Sequence, residues 1–168
     1  MSKETMTREE ILDLCGKAAR EAQIRDDVCS RSTLIGLSQY FDIPEEMIRA
    51  SMSLCGGAGA SSGTCGTYTC GLLAVGLKYN VPLADELANP DLQDIGAAKF
   101  QAFRDYYLEK MGTTMCPEFQ KKVFGRTFIF TNPADCEEYW KIEDHAVKCA
   151  DVVEKATRTI AEFLLDNE

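Results

Sequence analysis

The amino-acid sequence predicts an all-α protein, a compact single-domain bundle of about six to seven helices. Three observations carry this. Apolar residues recur at spacings of three and four along most of the chain. Capping residues and glycine stops punctuate that pattern, and only one short run, Arg126–Thr131, reads as extended.

In chain order, Thr7 and Glu10 form a capping box, after which Ile11, Leu14, Cys15, Ala18 and Ala22 make one stripe. Asp26 or Asp27 is placed to cap a second helix bearing Leu34, Leu37, Ser38 and Phe41. Asp42 and Pro44 open a third, with Met47, Ile48 and Met52 inward. A glycine-rich loop, Gly56 to Gly63, leads into a helix of small residues from Thr64 to Tyr79. Asn89 and Pro90 start a long fifth helix with Phe100, Phe103, Tyr107 and Met111 on one face and Gly112 as its stop. Pro117 to Phe124 reads as a short helix ended by Gly125. A last helix opens at Asn132 and Pro133, or later near Asp144, and carries Cys149, Val152, Val153, Ala156, Ile160, Phe163 and Leu164 as its stripe. No repeat, low-complexity tract or linker divides the chain, so residues 1–168 are expected to form one domain, with 1–6 a frayed end.

Hydrophobic residues make up 45% of the 168, enough for a proper core. Lys and Arg number 18 against 27 Asp and Glu, a net charge of −9. That balance argues against nucleic acid, whose phosphates need clustered cations. The N-terminus lacks the basic and apolar regions of a signal peptide, and the longest apolar stretch, around Leu72 to Leu77, is too short for a bilayer. The expectation is a soluble, cytoplasmic protein without membrane contact.

Eight cysteines are then the main clue, because in a reducing compartment they point to metal or redox chemistry more than to structural disulfides. Cys29, Cys65 and Cys116 fall at predicted helix N-termini, and Cys136 joins them if the last helix starts at Pro133. Unpaired N–H groups and the helix dipole there favour thiolate, the form that attacks disulfides or ligates metal. Without metal, Cys65 and Cys116 are the candidate redox thiols. Cys149 heads the last apolar stripe, so its sulfur should face inward, whereas Cys15 reads as a small packed residue. No C-x-x-C pair exists, and Cys65 and Cys70 point to different sides of one helix, so a metal site must gather cysteines from distant helices.

The glycine loop follows a helix, lacks the P-loop lysine and misses the G-x-G-x-x-G register, which speaks against nucleotide. Gly57, Gly59, Gly63 and Gly66 instead suggest close backbone approach to a bound group near Cys65. His145, the only histidine, lies four residues before Cys149 and could serve as accessory ligand, proton carrier or ordinary rim residue. One histidine and no nucleophile motif leave little for a hydrolase. Tyr106, Tyr107 and Trp140 read as core or rim aromatics, and Glu137–Glu138 as a solvated face.

The order Cys29, then Cys65-Gly66-Thr67-Tyr68-Thr69-Cys70, then Cys116, then Cys149 resembles the redox-active C_GCAxxG_C_C family, whose pattern has four cysteines, the second within C-G-A-x-x-G. The glycine-rich stretch before Cys65 and the helix Gly71–Tyr79 extend the likeness, which covers Asp27 to Leu165. Thr67 stands where the motif has Ala and Cys70 where it has Gly; Cys15, Cys55, Cys70 and Cys136 are additional to the family set. The resemblance implies an all-helical redox protein of anaerobic bacteria or archaea. A similar domain occurs in split-Soret-type cytochromes, where it is associated with an iron–sulfur cluster. The expected cofactor is therefore an iron–sulfur cluster of the [2Fe–2S] type, with zinc as the alternative. The expected ligands are Cys29, Cys65, Cys116 and Cys149, with Cys70, Cys136 and His145 as further candidates. Electron transfer to an unidentified redox partner protein is the expected role, with a homodimer as the candidate assembly. A metal-free dithiol–disulfide protein and a non-redox zinc- or small-anion-binding module are the alternatives.

Overall fold

Helix α1 (Arg8–Asp26) opens on its capping box: Thr7 Oγ1 accepts the Glu10 N–H at 3.3 Å, and the Glu10 carboxylate accepts the Thr7 N–H at 2.7 Å. It lies antiparallel to the last helix, α9 (His145–Asp166). Ion pairs set the register: Arg8 meets Glu162 and Asp166, Arg158 meets Asp13 and Glu9, and Arg20 meets Asp151 and Glu154. Between these charges the two helices bury Ile11, Cys15, Ala156, Ile160 and Leu164.

The computed structural model describes residues 5–167, and among these it contains nine α-helices and no β-strand. Helix α2 (Cys29–Ser38) crosses α1, and α3 (Glu45–Ala50) runs into a 3₁₀ turn at Ser51–Leu54. After the glycine loop come α4 (Gly66–Tyr79), α5 (Leu83–Ala88), α6 (Gln93–Met111), α7 (Cys116–Phe124) and α8 (Pro133–Trp140). Leu34, Leu37, Val75, Phe103 and Tyr107 complete the core, and the Phe103 ring meets Phe163 edge-on at 5.2 Å. No helix among the described residues is long and apolar enough to cross a membrane.

The fold class is as expected, but the helix count is higher. Leu83 and Leu87 of α5 are exposed, so that helix has no apolar stripe to betray it. Of the two starts for the last helix, the later one is found: α8 stops at Trp140, and Asp144, at φ 61°, turns the chain into α9. Asn89 and Pro90 open a 3₁₀ turn that leads into α6. Arg126–Thr131 forms no strand, because Phe128 N–H bonds the Gln120 side chain and Phe130 N–H bonds Ser62 Oγ. Neither Asp26 nor Asp27 caps α2. Its N-cap is Val28, and Asp27 instead ends α1 in the left-handed conformation. Met52 is 52% exposed, because the 3₁₀ turn breaks the 3.6-residue period. Phe100 is 47% exposed at a shallow cleft beside Asn80 and Gly96, so the apolar face of α6 begins at Phe103. Met6, expected to fray, packs against the core, while residues 1–4 lie outside the described residues.

The crossing of α1 and α2 is close at Gly36, where an added Cβ would stand 2.4 Å from the Cys15 carbonyl oxygen and 2.6 Å from Ala19 Cβ. Helix propensity alone would make Gly36→Ala stabilising by about 1 kcal/mol. The packing reverses that sign, and we expect a loss of about 1–3 kcal/mol in chemical denaturation. A raised denaturation midpoint would contradict the crossing described.

Candidate functional site: a thiol-lined cavity

Two helix N-termini are laid side by side by backbone alone. Thr64 and Met115 form an isolated antiparallel bridge. In it the Cys65 N–H donates to Thr114 O at 2.8 Å, and the Cys116 N–H donates to Gly63 O at 2.9 Å. Cys65 is thereby the N-cap of α4, and Cys116 the first residue of α7. The loop before Cys65 reaches this position by winding left-handed: Gly56, Gly57, Ala58, Gly59 and Ala60 all have positive φ. Gly57 is required there, since a Cβ would stand 2.3 Å from the Gly63 nitrogen while Gly63 N–H bonds Gly57 O at 2.9 Å.

The third thiol arrives at the first residue of α2. Asp27, at φ 50°, reverses the chain after α1 so that Cys29 heads the next helix. Its sulfur lies against Gly66, where an added Cβ would come within 2.8 Å. Cys149 comes from the first turns of α9. These four line one cavity of about 400 Å³. Cys55 and Cys136 line it too, so six of the eight sulfurs share the space. Phe119, Phe130, Tyr139 and Trp140 supply much of the remaining wall.

The other candidates are placed elsewhere. Cys15 and Cys70 are fully buried in the core and do not line the cavity. Gly57, Gly59, Gly63 and Gly66 do not line it either; Gly56 and Ala60 do. His145 also stands off it, with Nδ1 2.9 Å from Asp27 Oδ2 and its ring against Tyr139 and Trp140. Cys136 is four residues into α8, and its thiol donates to Phe130 O at 3.0 Å. Tyr107 is core, as expected, but its hydroxyl also reaches Thr67, 2.7 Å away. Glu137 and Glu138 are exposed and paired with Lys141 and Arg126. Cys55 had no signal of its own in the sequence, since it sits in an irregular turn with no periodicity to orient it.

Electrostatics single out one sulfur. Cys65 is brought down to about 7, chiefly by a hydrogen bond from the Cys29 thiol, with Thr67 Oγ1 at 3.1 Å helping against burial. No side-chain hydrogen bond closes the α4 cap, yet the Thr67 and Tyr68 N–H groups act on the sulfur in the same direction. Cys29, as donor to Cys65 and with burial adding to the effect, is held strongly protonated. Burial pushes Cys116 and Cys149 up to about 12, and Cys70 to about 12 as well. Burial also raises Asp27, against the opposing pull of His145 and hydrogen bonds from Tyr139, His145 and Gln23. Among the described residues, no three His, Cys, Asp or Glu side chains are gathered closely enough to hold a single metal ion.

These directions predict a pH profile. A depressed pKa means that the Cys65 thiolate is present above about 7 and is lost as pH falls through that value. In reduced, metal-free protein, alkylation of Cys65 by a small reagent should be half-maximal near pH 7, whereas Cys116 and Cys149 should still be rising at the alkaline end. Peptide mass spectrometry reads each site separately. A Cys65 profile centred at the ordinary thiol value of about 8.5 would refute the assignment.

A family model described as "Putative redox-active protein (C_GCAxxG_C_C)" matches residues 28–163. No curated protein and no solved structure matches the chain. The match spans every cysteine lining the cavity, and the chain belongs to the C_GCAxxG_C_C family of redox-active proteins.

Proposed function

We propose that this chain is a cysteine-based electron-transfer protein that holds an iron–sulfur cluster through Cys29, Cys65, Cys116 and Cys149. The observation that carries this reading is the convergence of four thiols, from the starts of α2, α4, α7 and α9, on one cavity. The donor set fits the group: thiolates are soft ligands, and four is the usual count for a cluster. A tetrahedral zinc ion would need all its sulfurs in one coordination sphere, whereas a cluster spans more space with its own sulfides. Bound there, a [2Fe–2S] cluster would supply one-electron transfer. The chain's own residues would do the rest. The helix N-termini of α2, α4 and α7 favour negative charge on sulfur, and the aromatic wall limits water.

A second reading is favoured by the Cys29 thiol standing beside the Cys65 sulfur and drawing it toward thiolate. Thiolate beside thiol is the arrangement for dithiol–disulfide exchange, with Cys29 rather than Cys116 as the partner of Cys65. Forming the sulfur–sulfur bond would release two electrons to an external disulfide or other two-electron acceptor on a partner protein. The thiol proton of Cys29 would leave to solvent.

Anaerobic purification with iron, zinc and acid-labile sulfide analysis and visible spectroscopy separates these readings. We expect a coloured protein with iron and sulfide. Colourless protein without iron, carrying a reversible disulfide between Cys29 and Cys65, would establish the second reading in place of the first. Ligand count gives a sharper test: replacing any of Cys29, Cys65, Cys116 or Cys149 by Ser should abolish or greatly weaken iron binding. Cys70→Gly and Cys15→Ala should retain it, the latter at a core penalty of about 1 kcal/mol. Iron lost from Cys70→Gly but kept by Cys65→Ser would sink the ligand assignment.

A further inference from the structure

Thr67, the residue that departs from the family's alanine, does something the other helical threonines do not. Thr33, Thr157 and Thr159 return their hydroxyls to the carbonyl four residues back, at 2.8, 2.7 and 2.9 Å, and Thr69 returns its own to the carbonyls three and four back, at 3.1 and 3.4 Å. Four residues before Thr67 is Gly63, whose carbonyl already accepts the Cys116 N–H. The Thr67 hydroxyl lies instead 3.1 Å from Cys65 Sγ and 2.7 Å from the Tyr107 hydroxyl. All three residues are buried, Thr67 and Tyr107 completely.

Proton counting orients the chain. Tyr107 is locked by ring contacts with Tyr68 at 5.0 Å and Phe103 at 5.7 Å, and among the described residues its hydroxyl meets Thr67. If Tyr107 donates to Thr67 Oγ1, the threonine proton is free to go to the sulfur, and every group is satisfied. The opposite order leaves the phenol proton without an acceptor in a buried site, at a cost of about 1–3 kcal/mol. Tyr107 therefore fixes which way the Thr67 hydroxyl points.

We infer that Thr67 and Tyr107 are a positioning pair that holds a hydrogen bond on the Cys65 sulfur and thereby raises the reduction potential of the centre to which Cys65 belongs. Reduction adds negative charge at sulfur, whether the electron enters a ligated cluster or opens a disulfide, and a donor aimed at that sulfur stabilises the reduced form. The inference rests on Cys65 being redox-active, but its sign is the same for both readings given above.

The test compares Thr67→Val, Thr67→Ser and Tyr107→Phe with the wild-type protein, poised electrochemically with mediators so that the electrode supplies the electrons. Thr67→Val keeps the branched shape without the hydroxyl, Thr67→Ser keeps the hydroxyl, and Tyr107→Phe keeps the ring. Cooperative unfolding checks that each is folded. We expect Thr67→Val and Tyr107→Phe each to lower the equilibrium constant for reduction about tenfold, equal to about 59 mV for one electron or about 30 mV for two. Thr67→Ser should stay near wild type. In the Thr67→Val background, Tyr107→Phe should add nothing, because it acts through that hydroxyl. Unchanged potentials in folded Thr67→Val would overturn the inference, as would a full Tyr107→Phe shift in the double variant. If the wild-type protein shows no redox couple, the functional proposal fails and the effect on potential falls with it, leaving the hydrogen bond on the Cys65 sulfur to be judged by itself. The Cys65 alkylation rate at fixed pH in metal-free protein then decides: about tenfold slower in Thr67→Val and Tyr107→Phe supports the pair, and equal rates refute it.

Discussion

Two backbone hydrogen bonds, Cys65 N–H to Thr114 O and Cys116 N–H to Gly63 O, hold the site together. They join segments far apart in sequence and set the first turns of α4 and α7 next to one another, so that two thiols share one cavity. Side chains take no part in this bridge, which leaves the cysteine sulfurs free for chemistry. The left-handed loop before Cys65 makes the bridge reachable, and the antiparallel pairing of α1 with α9 supplies the frame on which it sits. Through that frame, the end of α1 delivers Cys29 and the start of α9 delivers Cys149.

The cavity is an unfavourable place for charge, and this shapes its chemistry. Burial holds Cys116 and Cys149 protonated, and donation to Cys65, with burial, does the same for Cys29, while Cys65 alone among these four is shifted toward thiolate, by donors from Cys29, Thr67 and the α4 backbone. The site is asymmetric before anything binds: one sulfur ready to react and three that must first lose protons. Ligation or oxidation has to displace those protons; Asp27, raised by burial and in contact with His145 and Tyr139, lines the same cavity.

Local signals were legible where the determining partner lies within a few residues. The Thr7–Glu10 box, the Gly112 and Gly125 stops at φ 79° and 77°, and the buried stripe of α9 are all readable on that basis. Asp27 misled because the side chain of a capping residue and the backbone of a helix-ending residue look alike in sequence; it ends α1 in the left-handed conformation, and its carboxylate turns to His145 and Tyr139 from the far end of the chain. Phe100 misled because periodicity assigns a face but not what covers it.

By itself the sequence determined the helical class, the capping box of α1 and the glycine stops of α6 and α7, the thiols at helix starts and the order of cysteines that places the chain in its family. These depend on hydrogen bonds within one turn, on periodicity and on residue identity. Only the tertiary structure decided that Cys55 and Cys136 share the cavity, that Cys70 and His145 stand outside it, and that Thr67 reaches both Cys65 and Tyr107. Apart from the local Thr67–Cys65 contact, these placements bring together residues tens of positions apart, and their geometry is set by how whole helices cross, which no local pattern of side chains encodes.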